Sequence, residues 1–140
     1  MLDPSTKKLD ERPNLSTTKN LTELLGYVSI IHASAFFHLF SEEDQLKVAC
    51  GCVALLTGLP GATIFGAHIG ANQPGLYERP RAGNPMFCHS PESWEDMWRE
   101  ALRITGRNTD IRVWAKVIDM GDDPLFSGGK GYLVWSVGLV

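Results

Sequence analysis

Ser90-Pro91-Glu92 opens the best-defined helix in the chain. Serine caps the free N–H groups of a first turn, proline suits the first helical position, and an acid sits well at the positive end of the dipole. Trp94, Met97, Trp98, Ala101 and Leu102 then follow at i, i+3, i+4, i+7 and i+8, a full apolar stripe, and Gly106 ends it. A stripe carrying two tryptophans needs a surface to bury it. Upstream, Ala62 to His68 is a short apolar run without clean alternation, as expected of a parallel strand covered on both faces. Downstream, Ile111 to Ile118 alternates with period two, which predicts a strand with one wetter face. The stripe is therefore read as core packing against a sheet, and the fold class is α/β.

The rest of the chain follows the same rhythm. Tyr27 to His32 is short and β-branched and reads as a buried strand. Ser41-Glu42-Glu43-Asp44 is a second helix start, followed by Leu46, Ala49, Cys50, Val53 and Leu56 on one face. Gly58 and Pro60-Gly61 end that helix. Residues 69–89 read as a long irregular loop, of the kind that is functional or mobile. Residues 119–130 form another loop, and Tyr132 to Val140 a last apolar strand. The order is strand, helix, strand, helix, strand, strand. Strand–helix–strand units join parallel strands, and a final pair joined only by a loop pairs antiparallel. Residues 1–20 are polar, with little to bury, and read as a lead-in or linker.

Composition narrows the function. Thirteen Lys+Arg against sixteen Asp+Glu give a net charge of −3, which argues against a nucleic-acid partner. Three cysteines are an odd number, so no disulfide framework is expected and a reducing compartment is the default. The start has no basic segment followed by an apolar one, so no signal peptide is read. The longest apolar stretch, Tyr27 to Phe40, is interrupted by Ser29, His32, Ser34 and His38 and falls short of a membrane span. The expectation is a cytoplasmic protein with no membrane partner.

Metal chemistry is not expected. Cys50 and Cys52 lie two apart on a helix and point to different sides, and Cys88-His89 has no second pair to complete a site. Ser127-Gly128-Gly129-Lys130-Gly131 approximates a phosphate loop, but Gly131 replaces the required hydroxyl residue and a strand follows, so a flexible hairpin loop is the better reading. No G-x-G-x-x-G follows a strand, so a complete dinucleotide or nucleoside site is not encoded. His32-Ala33-Ser34 is the more informative segment, because it lies at the C-terminal end of a strand, where open α/β sheets place ligands. An imidazole and a hydroxyl there can bind a ligand or move a proton. The bland alternative has His32 satisfying backbone groups, with Phe36, Phe37, Leu39 and Phe40 as core. For any one side chain that alternative weighs more, whereas the position of the whole segment points to a ligand. His68 ends the next strand, beside a loop whose Gln73, Tyr77, Glu78, Arg79 and Arg81 form either a lid over a substrate or a solvated surface.

Three stretches together carry a resemblance: Val28-Ser29-Ile30-Ile31-His32-Ala33-Ser34-Ala35-Phe36-Phe37-His38-Leu39-Phe40, then Pro60-Gly61-Ala62-Thr63-Ile64-Phe65-Gly66, then Met86-Phe87-Cys88-His89-Ser90-Pro91-Glu92-Ser93-Trp94. They resemble the C-terminal half of fungal class I S-adenosylmethionine-dependent methyltransferases, many of them linked to secondary metabolism. The resemblance spans residues 21–140 as part of one such domain. It implies a partial Rossmann-like sheet, taken from a seven-stranded order 3-2-1-4-5-7-6. The Tyr27 and Ala62 runs stand for the fourth and fifth strands, Ile111 and Tyr132 begin the sixth and seventh, and the last pair is antiparallel. Asp3 then falls near the adenine of S-adenosylmethionine, and His32, Ala33 and Ser34 near its methionine end. Phe37, His68, Gln73 and Tyr77 are candidates for contact with a small-molecule substrate, and His32 or His38 for the base.

The first three strands of that fold have no counterpart here, nor do the glycine-rich turn and the acidic residue that hold the cofactor. Half an enzyme is the expectation: methyl transfer to a nucleophilic O, N or C of a small metabolite in complete relatives, with weak or no cofactor binding by this chain alone. The strand at 27–32 becomes an apolar edge open to self-association. A non-catalytic binding or oligomerisation module using that edge is the main alternative, and a nucleotide-binding fragment of another α/β enzyme a third.

Overall fold

The computed structural model describes residues 12–81 and 83–140. Among them the elements run β1 (Ile30–Ser34), α1 (Glu42–Leu55), β2 (Thr63–Ala71), β3 (Gly75–Tyr77), β4 (Met86–Cys88), α2 (Pro91–Thr105), β5 (Ile111–Ile118) and β6 (Lys130–Leu139). The main sheet has four strands in the order β1-β2-β6-β5. The β1–β2 pair is parallel and spans the α1 crossover, whereas β2–β6 and β6–β5 are antiparallel. The loop-joined last pair is thus antiparallel, as its connection predicts. The last strand inserts between β2 and β5, so the strand–helix–strand unit around α2 joins strands that are not neighbours.

Local chemistry accounts for the helices. At α2, Ser90 Oγ accepts from Ser93 N–H at 3.1 Å and Ser93 Oγ accepts from Ser90 N–H at 2.9 Å, a reciprocal cap, and Gly106 ends the helix at φ +69°. Trp94, Met97, Trp98, Ala101 and Leu102 are all buried, as the stripe requires. At α1, Ser41 caps through Asp44 N–H. The buried line there is Gln45, Ala49 and Val53, with Leu56 just beyond. Leu46 and Cys50 of the expected face are only half-buried, as are Val48, Cys52 and Leu55 on another side of the helix.

The core gathers on one face of the sheet. Ala49 and Val53 of α1, the α2 stripe, and Ile64, Leu133, Trp135 and Val137 of the strands form one buried cluster. Phe37 sits at its centre, edge-on to Trp94 at 4.9 Å and to Trp135 at 5.8 Å. Each such aromatic pair adds about 0.5–1.5 kcal/mol beyond the area it buries.

Three expectations are corrected. The strand expected over 27–32 runs from Ile30 to Ser34, with Val28 making only an isolated bridge to Leu56. It is not buried: Ile30 is 65% exposed, and His32 and Ser34 are exposed. Both helices pack on the other face, and β1 is the end strand of the sheet. For the same reason β2 is not covered on both sides, since Phe65 is exposed opposite His32. Residues 69–89 are not one irregular loop: β2 continues to Ala71, and β3 and β4 form a two-stranded hairpin. Among the described residues no helix is long and apolar enough to cross a membrane.

Candidate functional site

The free edge of β1 borders a groove of about 690 Å³. Its walls are Ile30 to Ser34 and Phe36 on one side, Val48, Gly51, Cys52 and Leu55 of α1 on another, and Leu21, Leu24, Leu25 and Val28 over the end. The segment that closes this end is itself capped. Asn20 Oδ1 accepts from Glu23 N–H and the Glu23 carboxylate accepts from Asn20 N–H at 3.1 Å, which starts the short 3-10 turn Leu21–Leu24. Gly26 N–H and Val28 N–H then donate to Ala54 and Leu55 carbonyls at 3.0 Å, tying the segment to the end of α1.

His32, Ala33 and Ser34 all line this groove. The His32 ring stacks on Phe65 at 4.8 Å with 21° between planes, so its orientation is set by the next strand. Ser34 Oγ donates to the Ala67 carbonyl at 3.5 Å. Ala35 follows in a left-handed conformation, φ +52°, its N–H bonded to the same carbonyl at 2.8 Å. A non-glycine residue there is strained. That turn sends the chain from the groove edge back into the core, where Phe37 is fully buried. Close approach of β1 to β2 depends on Gly66, since a Cβ there would overlap the Ala33 carbonyl.

The other candidates lie elsewhere. Phe37 and His68 are buried in the aromatic core, with ring centroids 5.9 Å apart. His68 Nδ1 accepts from Trp135 Nε1–H at 3.1 Å, and burial pushes its pKa down to about 3, helped by neighbouring His38 and His89. His38 is half-buried and its Nδ1 accepts from Ile69 N–H at 3.3 Å. Burial and then Arg79 lower its pKa, and because Nδ1 accepts, the neutral ring carries its proton on Nε2. Tyr77 donates to the Gln73 carbonyl at 2.7 Å, so these two share the β3 turn. None of Phe37, His68, Gln73 and Tyr77 is among the residues lining the groove. Asp3 lies outside the described residues.

Sequence reasoning missed three features. One is Gln45, buried in the first turn of α1, whose Nε2 donates to the Phe40 and Phe87 carbonyls at 3.1 and 3.2 Å. Another is His89, buried, with Nδ1 2.8 Å from Ser93 Oγ and a pKa pushed down by burial to about 4. The third is Lys130, expected in a flexible loop but buried and donating to the Glu78 carbonyl at 2.7 Å. The one available signal was Cys88-His89 set immediately before the Ser90 cap.

No family model matches the chain. Curated relatives do. The O-methyltransferase phiE of Fungal sp. is 31% identical over 93 residues, 66% of this chain and 31% of the relative. The asnovolin E/chermesin D methyltransferase nvfJ of Aspergillus novofumigatus is 29% identical over 115 residues, 81% of this chain and 40% of the relative. The methyltransferase trt5 of Aspergillus terreus is 27% identical over 93 residues, again 66% of this chain, and 33% of the relative. The chain thus spans about a third of the length of the curated relatives it matches. Over most of its residues it is a sequence relative of fungal methyltransferases, matching their C-terminal part.

Proposed function

We propose that the chain forms the second half of a class I S-adenosylmethionine-dependent methyltransferase sheet. In this reading β1, β2, β6 and β5 are its fourth, fifth, seventh and sixth strands. The groove beside β1 is where the methionine end of the donor meets a small-molecule acceptor once the preceding strands are in place. The observation that carries the reading is the groove itself, open along the free edge of β1 and walled by His32, Ala33 and Ser34 at the end of that strand. Open α/β sheets bind ligands at the carboxyl ends of their strands. The antiparallel strand inserted between β2 and β5 supports the same strand assignment. The names of the relatives, one an O-methyltransferase and one an asnovolin E/chermesin D methyltransferase, favour a small organic acceptor.

The described residues do not by themselves fit the donor. The groove lining is apolar except for Thr22, His32, Ser34 and Cys52, and it presents no carboxylate to a ribose diol or a sulfonium cation. This chain alone binds the donor weakly or not at all. What it contributes is an apolar wall that excludes water and an imidazole held in place by Phe65. With an acceptor hydroxyl in the groove, the part that falls to His32 is to take up the hydroxyl proton.

Calorimetric titration of S-adenosylmethionine tests this. The chain alone gives no saturable heat, and the chain mixed with the N-terminal portion of the phiE relative does. Micromolar binding by the monomeric chain alone overturns the incompleteness. No binding by the mixture, when complex formation is shown by light scattering, overturns the site. A second reading is a non-catalytic module that pairs through β1, favoured by Ile30 standing exposed on an end strand. It predicts a stable dimer that Ile30→Lys converts to monomer.

A further inference from the structure

At the far edge of the main sheet from the groove, β5 presents a second surface. Its outward positions are Arg112, Trp114, Lys116 and Ile118, all exposed, on the face opposite the helices. Register sets Gly138, Ser136, Val134 and Tyr132 of β6 beside them, and Phe65 of β2 next to Ser136. Trp114 is 54% and Phe65 41% exposed. The two stand two strands apart, about 9–10 Å, over a floor of Ser136 and Gly138. The result is a trough with aromatic walls and a shallow floor. Phe65 and Trp114 alone leave on the order of 200 Å² of aromatic surface uncovered. Contiguous exposed apolar surface of this kind marks an interaction site.

The charge on this surface is of one sign. No position on the outer face of β1, β2, β6 or β5 is an aspartate or glutamate. Among the described residues Arg112 and Lys116 enter no ion pair. The acids that bracket β5 are engaged elsewhere. Asp110 accepts from Ile111 N–H at 2.8 Å and faces Arg99, and Asp119 accepts from Gly121 N–H at 2.8 Å. Lysine and arginine on an edge strand discourage strand-to-strand pairing. That duty accounts for two cations on β5, yet it gives Trp114 between them and Ile118 beyond them no reason to face water.

We propose that this trough docks an acidic amphipathic helix of a partner protein, with its apolar stripe between Trp114 and Phe65 and its carboxylates on Arg112 and Lys116. Arg112 to Ile118 spans about 20 Å, the length of a helix of about 14 residues, and the trough seats one helix of about 10–12 Å diameter. Arg112 and Lys116 lie about 13–14 Å apart along β5, so the matching carboxylates stand two to three turns apart on one border of the helix. A second copy of the chain, face to face, brings the same two cations and no carboxylate, so it leaves both sets unpaired. A single-stranded nucleic acid is a poorer match, because two cations beside Ile118, Val134 and Phe65 neutralise few phosphates. The portion that precedes this chain in its relatives joins, on the reading above, at β1, three strands from β5. The surface itself stands independently of the methyltransferase reading.

Fluorescence anisotropy with the whole chain tests the proposal. The probe is a labelled synthetic helix of about 14 residues with a leucine stripe and glutamates along one border, beside a twin with lysines in their place. The glutamate peptide is expected to bind at least about tenfold tighter than its twin at low salt, with the gap narrowing as salt rises. It is also expected to shield exposed Trp114 from acrylamide quenching, the other three tryptophans being buried. Arg112→Glu with Lys116→Glu is expected to invert the preference; if that variant does not fold, Arg112→Gln with Lys116→Gln is expected to abolish it. Equal affinity for the twins, or binding of neither, overturns the proposal. So does a dimer, seen by light scattering, that Trp114→Glu dissolves and Ile30→Lys does not. An oligothymidine that binds tighter than the glutamate peptide makes the surface a nucleic-acid site and overturns it. Displacement of the peptide by the N-terminal portion of the phiE relative assigns the trough to the preceding half of the enzyme and overturns a separate partner.

Discussion

Acid should unfold this chain well above the range where carboxylates protonate. Burial holds His68 at a pKa of about 3 and His89 at about 4, against an ordinary value of 6.5. Above pH 6.5 both rings are neutral in the folded and the unfolded chain, and their contribution to stability is fully present. As the pH falls below 6.5, the unfolded chain takes up protons that the folded chain refuses, and the difference grows by about 1.4 kcal/mol per pH unit for each ring. At pH 5 that is about 2 kcal/mol each, about 4 kcal/mol together. The loss continues until the pH passes the folded values near 4 and 3. His38, also held below its ordinary value, adds in the same direction. Against a typical domain stability of roughly 5–15 kcal/mol, such a loss dominates. Urea unfolding followed by tryptophan fluorescence at pH 8 and pH 5 measures it. His68→Gln keeps an acceptor for Trp135 and removes one titrating ring, so its pH-dependent loss should fall to about half, whatever its starting stability. Stability unchanged to within about 1 kcal/mol between the two pH values would refute the reasoning.

Two further substitutions test local arguments. Ser90→Ala removes the hydroxyl that accepts from Ser93 N–H and caps α2, and should cost about 1–2 kcal/mol in urea unfolding; a cost under about 0.3 kcal/mol would show that the cap is made by other groups. Gly66→Ala drives a methyl into the Ala33 carbonyl and toward Trp135, so it should cost at least about 1–3 kcal/mol and raise amide exchange in β1 before β5; unchanged exchange in β1 would show that the two strands are not held at this spacing.

What the sequence disclosed was whatever is written in a periodic or capped pattern. The Ser90 cap, the five-residue stripe and the Gly106 stop place α2 to the residue, and the alternation of Ile111–Ile118 is the burial alternation of β5. The segment His32-Ala33-Ser34 was found by the strand-end rule, and all three residues line one groove. The groove itself was not legible. Val48, Cys52 and Leu55 belong to a side of α1 that the apolar spacing did not single out, and Leu21 to Leu25 arrive from another segment. Tyr27–His32 was misread for a related reason: β-branched apolar residues mark a strand, but nothing local states how many of its faces are covered. The hairpin of β3 and β4 has three residues in each strand, too few to show a period. Gln45 carries no local signal, because its partners, the carbonyls of Phe40 and Phe87, are brought to it only by the folded chain.

Two parts of the molecule that look continuous along the chain have separate physical duties. Phe37, Trp94, Trp98 and Trp135 close the inner face of the sheet without touching the groove. The outer face is open: the row His32–Phe65–Ser136–Trp114 crosses all four strands by register, and Phe65 and Trp114 are exposed within it. Parallel strands ordinarily have both faces covered. Phe37 and the tryptophans therefore serve the fold alone, His32 and Ser34 add little to the core, and Ile31, Ala33, Val48 and Cys52 belong to both parts. The join between the two parts is the turn at Ala35, where exposed Phe36 of the groove wall is followed directly by the fully buried ring of Phe37. A change at Trp94 should be read in stability and a change at His32 in ligand binding. A single change at Ala35 or Gly66 should move both, because those positions set the distance between the edge strand and the core.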